Sequence, residues 1–385
     1  MRKILSGNKS RLAVLLAFFT NGALMATWVS RIPAIQSRLG LSEGALGLVL
    51  LGLSAGMLTA LFLAGGLIAR FGSPRITLVC AMVSCLALPF LIIVSKPIML
   101  FAVLFIFGGG IGAMDVAMNE QAVLVERNEE RPLMSSFHAG YSIGGFAGAL
   151  IGAGMAAVPG LPTLLHFVIT AVIFCGVVIF SFPHLIPVEC ETGEKEAVFR
   201  LPERSLWILG AIAFCSAIGE GTMADWSAVY LTQVLNADAA FAALGFAAFS
   251  LTMTIGRIFG DFLSREWKPA FIVRTGGFIA ALGILAAALT TNPIIAVAGF
   301  AAVGVGLANI IPLLFGAAGN FPGISTGAGI AGVATIGYAG FLVGPPFIGL
   351  IAEETSLRVA LCLVALLVGT LIFTAKAISS QNKTE

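Results

Sequence analysis

Long apolar runs, each bounded by a few polar or turn-forming residues, recur from one end of the chain to the other. A helix that crosses a bilayer needs about 20 mostly apolar residues. Twelve segments meet that length, at 11–33, 44–68, 76–94, 98–124, 135–157, 163–183, 206–233, 240–263, 271–290, 294–317, 326–350 and 357–378. Turn signals such as Ser95-Lys96-Pro97, Pro159-Gly160-Leu161-Pro162, Thr291-Asn292-Pro293 and Phe321-Pro322-Gly323 separate them. The pattern predicts an all-α polytopic membrane protein.

One connection differs from the rest. Residues 184–205 are longer and charged, with Glu189, Glu191, Glu194, Lys195, Glu196, Arg200, Glu203 and Arg204, and they divide the chain into residues 1–183 and 206–385, six segments on each side. The halves also echo one another. Gly22, Ala26 and Trp28 align with Glu220, Ala224 and Trp226 at an offset of 198; Gly110, Gly112 and Asp115 align with Gly304, Gly306 and Asn309 at 194. Gly65, Leu67 and Arg70 align with Gly260, Phe262 and Arg265 at 195, and Tyr141 with Tyr338 at 197. Matches in chain order at nearly one offset predict two pseudo-symmetric six-helix bundles.

Composition agrees with a membrane setting: 58% of the 385 residues are hydrophobic and 10% charged, where soluble domains carry about 25% charge. The 46 glycines fit as well, since lipid gives helices no hydrophobic drive to associate and small residues let them approach closely. Gly140, Gly144, Gly148, Gly152 and Ala156, and likewise Gly52, Gly56, Ala60 and Ala64, recur every four residues and predict packing stripes. The net charge of +2 and the lack of a long basic run argue against a nucleic-acid partner. The six cysteines are scattered, with no disulfide framework or metal-ligand spacing. With both termini cytoplasmic, sixteen Lys and Arg fall on the inner side and four (Arg31, Arg38, Lys96, Arg358) on the outer, leaving Arg257 within a span.

Against this background the polar residues inside spans carry the candidate chemistry. Gly108, Gly112, Asp115 and Asn119 lie at i, i+4, i+7 and i+11 and share one helix face. A carboxylate at the centre of a membrane helix costs about 2.5–3.5 kcal/mol on insertion scales, so Asp115 is expected to face a partner or a hydrated pathway. Glu220 lies mid-span between Gly219 and Gly221, where the helix is expected to weaken and open its backbone, as the broken helices of transporters do. A mid-membrane carboxyl is a natural place to take up and release a proton, which makes Glu220 the first candidate for proton coupling, with Asp115 and Asp225 as rivals. Asp225 lies about 140° round the helix from Glu220 and suits an outer gate with Trp226 or Arg31. Asn21 and Trp28 share a face of the first segment. Trp28 suits either stacking on a ring or sugar or anchoring at the interface, and His138 with Tyr141 forms a facing pair near the inner end of the fifth. His166 and His184 lie near helix ends and carry no expected role. Gly344-Pro345-Pro346 is expected to bend the eleventh segment.

The loop Gly65-Gly-Leu-Ile-Ala-Arg-Phe-Gly-Ser-Pro-Arg75 resembles the G-x-L-A-D-R-x-G-R-R stretch after the second helix of the major facilitator superfamily, and the resemblance extends over essentially the whole chain. Ala69 stands where that family prefers aspartate. The resemblance implies a gating role for Arg70, which Arg257 and Asp261 can take over in the second half. Asp115-Val-Ala-Met-Asn119, Met134-Ser-Ser-Phe-His138 and Ala224-Asp-Trp-Ser227 are similar to a bacterial inner-membrane, YbjJ-like branch related to fucose permeases.

Together these readings lead to the expectation of a monomeric secondary transporter, proton-coupled and working by alternating access on a small polar solute. Asn21, Trp28, Asp115, Asn119, Tyr141, Glu220, Asn309 and Tyr338 are its expected binding residues, and Arg31, Arg70, His138, Arg257 and Asp261 its expected gates. No cofactor, metal or ATP-binding loop is expected, since no G-x-x-x-x-G-K-[ST] run occurs and Gly327–Gly332 follows no strand. Efflux of drugs or metabolites by the same fold is an alternative. A polytopic enzyme and a transporter-like sensor are alternatives of another class.

Overall fold

The computed structural model describes residues 2–130, 133–187, 206–322, 324 and 326–378. The charged connection at 188–205 therefore lies outside the described residues. Within them the chain forms sixteen α-helices and no strand. These are α1 (Arg2–Val29), α2 (Ile32–Leu39), α3 (Glu43–Phe71), α4 (Ser73–Ile93), α5 (Pro97–Glu129), α6 (Met134–Ala157), α7 (Thr163–Ser181) and α8 (Trp207–Gln233). There follow α9 (Ala239–Ile258), α10 (Gly260–Glu266), α11 (Pro269–Leu289), α12 (Pro293–Leu307), α13 (Ile310–Gly319), α14 (Thr326–Glu354), α15 (Leu357–Gly369) and α16 (Leu371–Thr374). Twelve spans are long and apolar enough to cross a membrane, and each coincides with one of the twelve predicted segments.

Sixteen helices make twelve spans because three spans are interrupted and α10 lies between two others. The first changes direction at Ser30-Arg31, where Pro33 enters the first turn of α2. The tenth breaks at Ala308-Asn309; Pro312 lacks the N–H that would have bonded to the carbonyl of Ala308, four residues back. The expected opening at Gly219-Glu220-Gly221 does not occur, because α8 runs unbroken from Trp207 to Gln233. A β-carbon on Gly219 would meet Leu307 Cδ1 and Val368 Cγ2 at 3.0 Å, and one on Gly221 would meet Phe341 Cδ1 at 3.2 Å. Those glycines admit neighbouring side chains rather than bending the backbone. The eleventh span also stays helical through Pro345 and Pro346.

The chain divides into two compact units, Met1–Gly40 with Val49–Ala197, and Leu41–Leu48 with Val198–Glu385. In the first, α6 lies against the backbone of α1. A β-carbon on Gly144 would meet the carbonyl oxygen of Phe19 at 2.1 Å, and one on Gly148 that of Ala23 at 2.6 Å. The second stripe does the same on α5, where Gly56 abuts the carbonyl oxygen of Phe105. Phe18 and Phe137 stack at 5.8 Å between centroids inside the α1–α6 contact. Gln121 of α5 closes the unit: its Nε2 donates to Ser73 Oγ and to the carbonyl of Ile186, both at 2.9 Å, and its Oε1 accepts from the Ile186 N–H at 2.8 Å.

In the second unit α8 packs on α14, and α11 on α12 through Gly276 against Gly306 and Gly283 against Gly299. Arg358 Nη1 donates to the carbonyls of Ala288 and Thr290, and Tyr230 Oη donates to that of Ala287, satisfying the carbonyls left open at the end of α11. Residues 41–48 belong to this unit. Ser42 Oγ donates to Glu353 Oε2 at 3.0 Å, and Gly47 abuts the carbonyl of Pro345.

Candidate functional site

The predicted stripe on α5 serves two purposes along its length. Its glycine half is packing surface, since a β-carbon on Gly108 would meet the carbonyl of Leu53 at 2.2 Å and one on Gly112 would meet Met57 Cα at 3.0 Å. Its polar half pairs with itself. Asn119 Nδ2 donates to the Asp115 carbonyl at 2.9 Å and to Asp115 Oδ1 at 3.3 Å, and both residues are half-buried. The carboxylate thus keeps one ordered donor and lies against the rest of its surroundings with acceptor capacity to spare.

Other residues expected near a solute are used by the first unit itself. Asn21 is buried and donates Nδ2 to the carbonyl of Ile111 at 3.0 Å, a tie between α1 and α5. Trp28 is wholly enclosed, which removes the open ring face that stacking on a solute or anchoring at an interface requires. Tyr141 is half-buried, and its carbonyl is the atom that Gly22 approaches. His138 is exposed and meets Phe18 edge-on at 5.2 Å.

In the second unit, Glu220 of α8 and Arg257 of α9 come together, Arg257 Nη2 standing 3.6 Å from Glu220 Oε1. Both side chains are about one-third exposed, 27% and 35%. One turn further on, Asp225 is buried, with no hydrogen-bond or ion-pair partner among the described residues. Asn309 belongs to the fold: it occupies the break between α12 and α13 and donates Nδ2 to the carbonyl of Gly256 at 3.0 Å. Gly260, at the start of α10, leaves room for its Oδ1. Tyr338 is exposed on α14. The side chain of Asp261 lies outside the described residues.

The two first-unit arginines expected as gates differ. Arg70 is exposed, its guanidinium 5.2 Å from the centroid of Phe71. Arg31 is buried and donates Nε to His166 Nδ1 at 3.1 Å, rather than meeting a carboxylate. Sequence reasoning passed over His166 as a helix-end residue, and it also missed Gln121. Neither has a local signal: their partners lie 135 and 65 residues away.

Twelve apolar spans, with carboxylates and an arginine within them, define a multi-pass membrane protein. The family model described as Major Facilitator Superfamily matches residues 12–323, and the chain belongs to that family. An uncharacterised MFS-type transporter of Yersinia pestis is 36% identical over 375 residues, covering 97% of each chain. An uncharacterised transporter of Sinorhizobium fredii is 37% identical over 360 residues, covering 91% of this chain and 93% of the relative. Among solved structures, a mutant of the nucleoside transporter NupG superposes with a TM-score of 0.80 at 13% identity, covering 96% of this chain and 99% of that one. The protein is a transporter of this family and not an enzyme.

Proposed function

We propose that this transporter moves a small polar solute across the bacterial inner membrane by alternating access, coupled to protons, with both termini cytoplasmic. The observation that carries the coupling is the Glu220–Arg257 pair. Charges inside membrane spans are costly and are kept where they face a partner or a hydrated pathway. This pair is about one-third exposed rather than sealed in the core, which leaves room for its partners to change. Protonating Glu220 removes the attraction to Arg257, and a group whose charge changes the balance between two conformations is what coupling requires. Asp225, buried without a partner, is the rival site.

Asp115 with Asn119 is the solute-facing pair in this reading. With Asn119 Nδ2 spent on Asp115, it offers acceptors, the carboxylate and Asn119 Oδ1, which suits the O–H and N–H donors of a hydroxylated or heterocyclic solute. Asn21, Trp28 and Asn309 take structural places. Inward placement of the termini rests on the sixteen-to-four Lys and Arg asymmetry. Single cysteines introduced into a background lacking the native ones test it: Ser95→Cys should label with an impermeant maleimide in whole cells and Thr192→Cys should not.

Proteoliposomes test the coupling. Glu220→Gln mimics the protonated acid, so it should still exchange solute by counterflow yet lose accumulation driven by a pH gradient. Gradient-driven accumulation at the wild-type level would move the coupling site elsewhere. The solute for that assay comes from a thermal-stabilisation screen against sugars, nucleosides, nucleobases and cationic drugs.

A further inference from the structure

At the end of the second unit where α11 begins and α16 finishes, an arginine lies on the outer surface of an apolar span. Arg274 is in the second turn of α11, and Phe271 and Phe278, three residues before it and four after, share its face. All three are exposed, the two rings at 48% and 56%, and exposed Leu282 continues the stripe one turn further on. On a membrane span an exposed apolar stripe is the surface that meets lipid acyl chains. Ionisable residues in spans almost always face the bundle interior, and Arg274 does not.

The neighbouring segment holds one of its nitrogens. Gly277 lets α16 come close, since a β-carbon there would meet Leu371 Cβ at 2.7 Å, and Arg274 Nε donates to the carbonyl of Ile372 at 3.2 Å. The N–H groups on Nη1 and Nη2 have no partner among the described residues. Phe373, beside Ile372, is 80% exposed. Lys376 is exposed on the 3₁₀ turn Ala375–Ile378 that follows, and this turn also packs on α11. Among the described residues no carboxylate pairs with Arg274 or Lys376; Glu266, on α10, is exposed and joins neither. Just ahead of α11, Trp267 is exposed and meets Phe271 edge-on at 5.5 Å. Tryptophan is the side chain typical of the boundary between membrane and water.

Two cations without a counter-charge thus stand beside exposed aromatic rings at one end of the span, within reach of the headgroup level. We propose that Arg274 and Lys376 bind the phosphate of an anionic phospholipid, of the phosphatidylglycerol type, whose acyl chains lie on Phe271, Phe278 and Phe373. A guanidinium anchored through Nε presents its Nη groups as a planar fork that matches phosphate oxygens. Lys376 brings a second positive charge, which favours a headgroup of net negative charge over a zwitterionic one. The lipid bridges α11 and the end of the last span.

The test titrates the purified full-length protein, in a neutral detergent, with phosphatidylglycerol and with phosphatidylcholine of the same acyl chains, and counts bound lipid by native mass spectrometry. Phosphatidylglycerol should bind saturably and more tightly than phosphatidylcholine. Arg274→Gln should weaken it about fivefold, and Lys376→Gln by about as much. Lys96→Gln, which removes the same charge from an exposed position in the first unit, should leave it unchanged. The proposal is overturned by equal affinity for the two lipids, by unaltered binding in Arg274→Gln, by an equal loss in Lys96→Gln, by displacement with equimolar inorganic phosphate, or by a lipid-free dimer that Arg274→Gln dissociates. Should Arg274→Gln fail to fold, lipids brominated on the acyl chain decide with the wild type. Brominated phosphatidylglycerol should quench the part of the fluorescence that Trp267→Phe removes, and brominated phosphatidylcholine at the same concentration should not; equal quenching by both overturns the proposal.

Discussion

Gly22 and Glu220 occupy the same place in the two halves of the sequence, yet they are built into opposite kinds of environment. In the first unit Gly22 is pressed against α6, where a β-carbon would meet the carbonyl oxygen of Tyr141 at 2.0 Å. In the second unit that position carries a carboxylate, which reaches Arg257 on α9. The neighbouring repeat positions follow suit. Gly140 would place a β-carbon 2.6 Å from Leu15 Cδ1, whereas at its counterpart Gly337 the nearest atom is Ala213 Cβ at 3.3 Å. Gly144, against the backbone of Phe19, corresponds to Phe341, whose ring lies over Gly221. One helix pair is locked backbone to backbone. Its repeat has one such contact, Gly340 against the Phe214 carbonyl, and otherwise packs through side chains and leaves space for a charge. Repeat-related positions thus carry small residues in one half and a Glu–Arg pair in the other.

The largest effects should come from breaking the lock. Gly144→Ala has to push α6 away from the Phe19 carbonyl, and overpacking of this kind costs about 1–3 kcal/mol. Gly337→Ala meets the Ala213 methyl at 3.3 Å, a close contact that a shift of a few tenths of an ångström relieves, and should cost less than about 1 kcal/mol. Melting temperatures of the two purified variants in one detergent measure the contrast; equal shifts would mean that the two helix pairs are packed alike.

Next in size is the charged pair. Arg257→Gln leaves Glu220 in the span without its partner, and Glu220→Gln leaves Arg257 so. Because both side chains are about one-third exposed and stand 3.6 Å apart, their coupling energy should be only about 0.5–1 kcal/mol in a double-mutant cycle read by thermal unfolding. The effect on gradient-driven accumulation should be far larger than that on stability. Coupling above about 3 kcal/mol with unchanged transport would make the pair a structural tie, like those of the first unit.

Asp115→Asn should follow. The substitution is close to isosteric and leaves the Asn119 bond to the Asp115 carbonyl untouched. Solute affinity should fall about tenfold, the loss of one charge-assisted hydrogen bond, with the melting temperature unchanged. Unaltered affinity with lower stability would assign the Asp115–Asn119 pair to packing.

The twelve spans were legible because run length alone separates a membrane helix from other apolar segments. The glycine stripes were legible as well, since a four-residue period survives whichever helix it meets. What one chain position cannot display is its partner. Glu220 and Arg257 were both singled out, but nothing in the sequence says that α8 and α9 bring them to 3.6 Å. The glycines beside Glu220 were taken to open the helix, when the side chains of Leu307, Val368 and Phe341 explain them. The break fell instead at Asn309, where Pro312 offered a signal that the long apolar run concealed. His166 stood out least, because a histidine near a helix end gains its meaning only from an arginine 135 residues away.

The smallest effect tests where the halves agree. Trp28 and Trp226 align in the repeat, both are wholly enclosed, and neither indole Nε1 has a hydrogen-bond partner. Replacing either by phenylalanine removes part of a ring from a packed site, which costs in proportion to the cavity left. It also removes a buried donor that was never satisfied, and such a donor carries a penalty of about 1–3 kcal/mol that the substitution recovers. The two terms oppose one another, so Trp28→Phe and Trp226→Phe should each change stability by less than about 1 kcal/mol, and by the same amount. Solute affinity should not change in either variant, because neither ring offers an open face. Calorimetric unfolding and ligand titration of both variants make the comparison. A clear loss of stability in one alone would show that its indole N–H has a partner and that the repeat equivalence ends there. A loss of affinity in Trp28→Phe would return that ring to the solute site.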